Sequence, residues 1–173
     1  MGRDAEQWTA QELAKLDDRA WTVLHDVPLS RSNVDHVAIG PGRVYAIETK
    51  WTSYTDRYVD RCARQAERQA GELAALMAER GAAREVIPLL VVWGPGVADA
   101  LGKQPDLKGR TRVVAGAHSK VWLQRMSDAA DRLEIDWPAQ RTLLAIVEEL
   151  EAPDAELTTD ATAGRQRGMA SSG

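Results

Sequence analysis

The chain has 173 residues, 44% hydrophobic and 28% charged, which suits one globular domain with a buried core and excludes a fibrous or low-complexity chain. A formal charge of −4 and a pI near 5.4 exclude a generally basic, nucleic-acid-coating protein, so any contact with phosphate has to be local. Cys62 is the only cysteine, which excludes an internal disulfide and a thiolate-rich metal site, and no apolar run approaches the ~20 residues of a membrane span.

The opening MGRDAEQW has no apolar signal region, and Glu6 stands where an N-myristoylation motif wants Ser or Thr, so a cytoplasmic location is expected. Residues 4–16 read as a helix, with Thr9, Leu13 and Leu16 at helical spacing and Glu6 almost in line with Leu13. An acid at the head of an apolar stripe points toward the core, and it also complements the positive end of a helix. In residues 21–28, Trp21, Val23, His25 and Val27 alternate against Thr22, Leu24 and Asp26, which is a strand pattern.

Residues 33–51, NVDHVAIGPGRVYAIETKW, form the stretch around which the rest is organised. Two apolar runs flank Gly40-Pro41-Gly42-Arg43, a strand-breaking cluster that tolerates positive φ, and together they predict a β-hairpin. If Ile39 pairs with Val44, counting back places Asp35 opposite Glu48 with Cβ atoms ~5 Å apart, and Lys50 shares their face. Val37, Ile39, Val44 and Ala46 fall on that same face, and His36, Ala38, Tyr45, Ile47 and Thr49 on the other. Like charges side by side destabilise a sheet unless something lies between them, and a divalent cation meets that need. Solvated charges at a strand end, guarding an edge against further pairing, are the plainer alternative.

Residues 55–80 predict a long helix. Ala66, Ala70, Leu73 and Met77 make its sheet-packing stripe, Arg57, Arg61, Arg64 and Arg68 a basic stripe, and Gln65 and Gln69 lie beside that. Residues 86–93 are the most apolar run and predict a buried strand with Pro88 near its start. Gly94-Pro95-Gly96 has a weak likeness to a dinucleotide-binding turn, with Asp99 in the third glycine position. A loop over 102–110, a strand over 111–115, a helix over 119–126 and a helix from Trp137-Pro138 to about residue 150 complete one domain over 1–150. The polar tail, residues 151–173, has no period and few large apolar residues, and is expected to be disordered. His25, His36 and His118 show no metal-ligand spacing.

Asp35, the triplet Glu48-Thr49-Lys50 and a following glutamine-bearing helix resemble the PD-(D/E)xK nuclease superfamily. More narrowly, residues 21–51 resemble the NERD, or nuclease-related, domain, whose strands carry N-[IV]-D-H and a G-P-x-x-[VI] turn before E-x-K. The likeness runs from about residue 6 to residue 126. It implies an α/β fold with a mixed sheet, a restriction-endonuclease-like αβββαβ core with an added C-terminal helix. It implies Asp35 and Glu48 as ligands of Mg²⁺ or Mn²⁺ with the Thr49 carbonyl as a third donor, Lys50 orienting water or stabilising phosphate charge, and Glu6 supporting the metal site. Gln65 or Gln69 would match the glutamine that positions water or backbone. The implied activity is metal-dependent hydrolysis of DNA phosphodiester bonds by a deoxyribonuclease, internal or end-directed cutting being left open, with Arg57, Arg61, Arg64 and Arg68 on the nucleic-acid backbone. The chain departs from the family's pattern in having Ala5 where glycine is usual and a brief segment 51–54 after the lysine. The alternatives are a catalytically weak nucleic-acid-binding or partner-recruiting module on the same fold and, more remotely, a glycosidase using the paired acids. Oligomeric state stays open, a homodimer being one option, and no membrane partner is expected.

Overall fold

The computed structural model describes residues 2–30, 32–130 and 136–151; the tail predicted to be disordered lies, but for Glu151, outside them. After α1 (Gly2–Leu13), β1 (Thr22–Pro28) pairs antiparallel with β2 (Asn33–Gly40), and β2 with β3 (Arg43–Trp51). α2 (Asp56–Glu79) leads to β4 (Val86–Trp93), which runs parallel to β3, so the order is αβββαβ. α3 (Val97–Leu101) follows. β5 (Asp106–Lys108) and β6 (Thr111–Ala115) form an edge hairpin, with β6 parallel to β4. A 3-10 turn at Gly116–His118, α4 (Ser119–Ala130) and α5 (Trp137–Glu151) complete the chain around a six-stranded sheet of order β1-β2-β3-β4-β6-β5.

The strand alternation decides the layers. Val37, Ile39, Val44 and Ala46 face Leu73 and Met77 of α2 and Leu143 and Ile146 of α5. Ala38, Tyr45 and Ile47 face the other way, against Leu13 of α1 and Trp122 and Met126 of α4. Helices therefore cover both faces, which is why β4 reads as an unbroken apolar run instead of an alternating one. Truncating one of its fully buried residues, such as Leu90, to alanine is expected to cost ~2–5 kcal/mol. Pro88 is tolerated near the start of this central strand because β6 pairs only from Leu89 onward. α2 stops where Gly81 turns to φ +76° and Ala82 N–H donates to the Met77 carbonyl at 3.0 Å, satisfying the last turn.

Three boundaries differ from the sequence expectations. The predicted loop over 102–110 contains β5, whose three residues are too few and too charged to show a period until β6 supplies the pairing. The first helix ends at Leu13 rather than Leu16, because Asp17 and the turn after it take up the backbone, with Trp21 N–H donating to the Asp17 carbonyl at 2.8 Å. The helix over 119–126 continues to Ala130. The turn Gly94-Pro95-Gly96 is no dinucleotide cradle. Gly94 sits at φ +134°, where a Cβ would lie 2.1 Å from the Thr52 carbonyl oxygen, so glycine there lets the ends of β3 and β4 close on each other.

Candidate active site

The hairpin register is the one counted from the turn. Ile39 pairs with Val44, Val37 with Ala46 and His36 with Ile47, where the paired ladder ends; the same register continued one step sets Asp35 level with Glu48. Gly40 is required because the Trp21 ring lies where a Cβ would be, 2.5 Å away, and Gly42 supplies the φ +62° of the turn. At the open end of the hairpin the Thr49 backbone N–H donates to Asp35 Oδ2 at 2.7 Å. The two acids thus lie beside each other on the α2 face of the sheet, at the polar end of a buried stripe.

Glu48 is only 2% exposed. Its Oε1 accepts from Lys50 Nζ and from Gln65 Nε2, the latter at 2.9 Å. Its Oε2 is buried with no hydrogen-bond partner. A buried carboxylate oxygen without a donor costs on the order of 1–3 kcal/mol, more when charged. Asp35 is half-buried, and burial first, then the neighbouring Glu48 charge, push its pKa from 3.8 up to about 7, against the opposing Thr49 N–H and Lys50. Burial pulls Lys50 down, but its hydrogen bond to Glu48 and the charges of Glu48 and Asp35 outweigh that, and its pKa is raised. The ammonium therefore keeps its proton.

Gln65 joins the acids; Gln69 does not. Gln69 is 3% exposed, and its Nε2 donates to the Asn33 carbonyl at 2.6 Å, which ties α2 to the start of β2 two residues before Asp35. Glu6 is half-buried on α1, which packs on the opposite face, and it reaches Asp35 only as the weakest of the influences raising its pKa. Among the described residues no three His, Cys, Asp or Glu side chains group together to hold a metal ion, so a cation here has two carboxylates available. Arg57, Arg61, Arg64 and Arg68 are all exposed. At ~100° per residue they form one stripe, and Gln65 lies ~40° beyond Arg61, so the stripe borders the acids. On the other flank of α2, Asp56 and Asp60 pair with Lys108 at 3.4 and 3.5 Å.

Sequence reasoning missed the link that fixes Thr49. Thr49 Oγ1 donates to Thr9 Oγ1 at 3.1 Å, and Trp93 Nε1 donates to the same oxygen at 2.9 Å, so one α1 hydroxyl ties together the ends of β3 and β4. Trp8 packs edge-on against Trp51 and Trp93 at 5.4 and 5.5 Å above it. The apolar phase of Thr9 on α1 was the only sequence signal for this. His25 and His36 face each other with 2.8 Å between their Nδ1 atoms.

The family model for the nuclease-related domain, NERD, matches residues 1–93, from α1 through the end of β4. Neither the curated proteins nor the solved structures contain a match to the chain. No described helix is long and apolar enough to cross a membrane.

Proposed function

The chain belongs to the nuclease-related domain family, and from that membership we propose that it is a metal-dependent nuclease that hydrolyses DNA phosphodiester bonds. The observation that carries the proposal is the partnerless, buried Oε2 of Glu48 beside the charge-starved carboxyl of Asp35. Two hard oxygen donors fit Mg²⁺ or Mn²⁺, which keep several waters and take one or two carboxylates, so Asp35 and Glu48 would hold the ion with the Thr49 carbonyl as third donor. When bound, the ion supplies a Lewis acid for phosphoryl oxygens and lowers the pKa of water.

The remaining groups divide the work by their protonation and position. Lys50 stays cationic because of its acidic neighbours, so it serves as a donor to charge growing on the phosphate instead of as a base. Gln65 commits its amide N–H to Glu48, which fixes the side chain and leaves its carbonyl oxygen to orient a water. Gln69 braces the strand that carries Asp35. The arginine stripe supplies sequence-independent phosphate contacts along the same helix.

The test is cleavage of a duplex and a single-stranded DNA with Mg²⁺, using the protein and Glu48→Gln, each shown to be folded by circular dichroism. Cleavage by the protein and at least ~100-fold less by the variant is expected. Equal cleavage by the two would remove the assigned site. The second reading, a binding module, draws on the arginine stripe being exposed whatever the acids do. Salt-sensitive DNA association in EDTA, with no product in Mg²⁺, would favour it.

A further inference from the structure

We propose that a cavity on the opposite face of the sheet, between the β5–β6 edge and α4, is a binding site for a small apolar molecule carrying a carboxylate. The cavity has a volume of about 340 Å³, within the usual range for small-molecule sites, and opens to solvent beside Leu107, which is 66% exposed. Most of its wall comes from residues 104–126, beyond the part of the chain that the family model matches.

Two polar groups in the wall find no partner within the protein. Tyr45 is 1% exposed and Trp122 3%, yet Tyr45 Oη and Trp122 Nε1 both lack a hydrogen-bond partner. An indole N–H can only donate and a phenol donates readily, so each leaves a donor unused in a residue of the cavity wall. Two guanidinium groups share the wall. Arg125 donates to the side-chain Oε1 of Gln104, and Arg112 makes no ion pair among the described residues. The one carboxylate in the wall, Asp106, is engaged elsewhere: its Oδ1 accepts the Leu107 N–H at 2.8 Å, and its Oδ2 lies 3.6 Å from Lys108. The cavity therefore presents donors and positive charge above an apolar floor of Leu89, Val114 and Met126. An apolar body fills the floor, and an oxyanion meets the donors, most strongly the guanidinium forks. The site is independent of the nuclease reading because it shares no residue with the acids.

The test uses 2-naphthoate and its neutral isostere 2-naphthamide on the intact chain, followed through indole N–H resonances, with Trp122 assigned from Trp122→Phe. Saturable binding of one naphthoate, a downfield shift of the Trp122 resonance and at least tenfold weaker binding of the amide are expected. Tyr45→Phe should weaken naphthoate five- to tenfold without lowering thermal stability, since the hydroxyl makes no hydrogen bond within the protein, and Arg125→Ala should abolish the preference for the acid. Glu48→Gln should leave binding unchanged. No saturable shift at 10 mM, equal affinity for acid and amide, or unaltered binding in both Tyr45→Phe and Arg125→Ala would each overturn the proposal.

Discussion

Replacing Asp35 with asparagine is expected to make the metal-free protein more stable while depriving it of cleavage. In the folded chain the Asp35 carboxyl takes up its proton at about pH 7, against 3.8 for an ordinary aspartate. Between those values the folded state binds the extra proton, so stability falls as pH rises from ~4 and levels off above ~7. At ~1.36 kcal/mol per pH unit the loss reaches about 4 kcal/mol at pH 8 and about 2 kcal/mol at pH 5, upper limits for a half-buried group that water partly screens. Asparagine removes this loss and keeps an oxygen for the Thr49 N–H. The wild-type pH curve alone would not reveal it. Burial and then His25 push His36 down to about 4, and a histidine so shifted loses stability as pH falls from 6.5 toward 4, opposing Asp35 in that window. The difference between protein and variant is the informative quantity. Urea unfolding in EDTA should show a gain for Asp35→Asn at pH 8 that roughly halves at pH 5. Added Mg²⁺ should stabilise the wild type only, by mass action on the folded state. A variant less stable than wild type at pH 8, or a gain that ignores pH, would refute the idea that Asp35 holds an uncompensated charge.

Lys50→Met should destabilise the metal-free protein by ~3 kcal/mol at neutral pH, because it leaves the buried Glu48 carboxylate with only an amide donor, and Mg²⁺ should restore part of the loss. Denaturation with and without the ion measures both effects. Replacing Arg57, Arg61, Arg64 and Arg68 together by alanine should make the salt dependence of duplex binding shallower by about 3.6 in log–log slope if each contacts one phosphate, read by fluorescence anisotropy in EDTA across salt concentrations. Gly94→Ala should cost at least ~3 kcal/mol, lowering Tm by about 10 °C in a thermal scan, since its φ of +134° and the Thr52 carbonyl both reject a Cβ.

The hairpin was legible because its information is local. A turn that needs glycine, two apolar runs and a period of two are enough to count the register, and the register puts Asp35, Glu48 and Lys50 on one face. The long helix was legible for the same reason. Gln65 and Gln69 could not be told apart, because their phases differ by only ~40° and the choice depends on where α2 crosses the strands. Glu6 has the right phase on its helix, but α1 lies across the other face and its reach is set by packing. β5 has no sequence signal of its own, and the Thr9–Thr49–Trp93 link joins residues 40 and 84 positions apart.

The two flanks of α2 give the helix a transverse polarity: arginines border the acids on one side, and Asp56 and Asp60 stand on the other around Lys108. For an acidic protein meeting a polyanion this amounts to an orientation filter. On the proposed nuclease reading, encounters from the Lys108 side would be repelled within a Debye length, whereas those from the arginine side would be held beside the hairpin. The overall negative charge would then slow capture without weakening that pose, and raising the salt would erode the directional choice faster than it erodes the folded state.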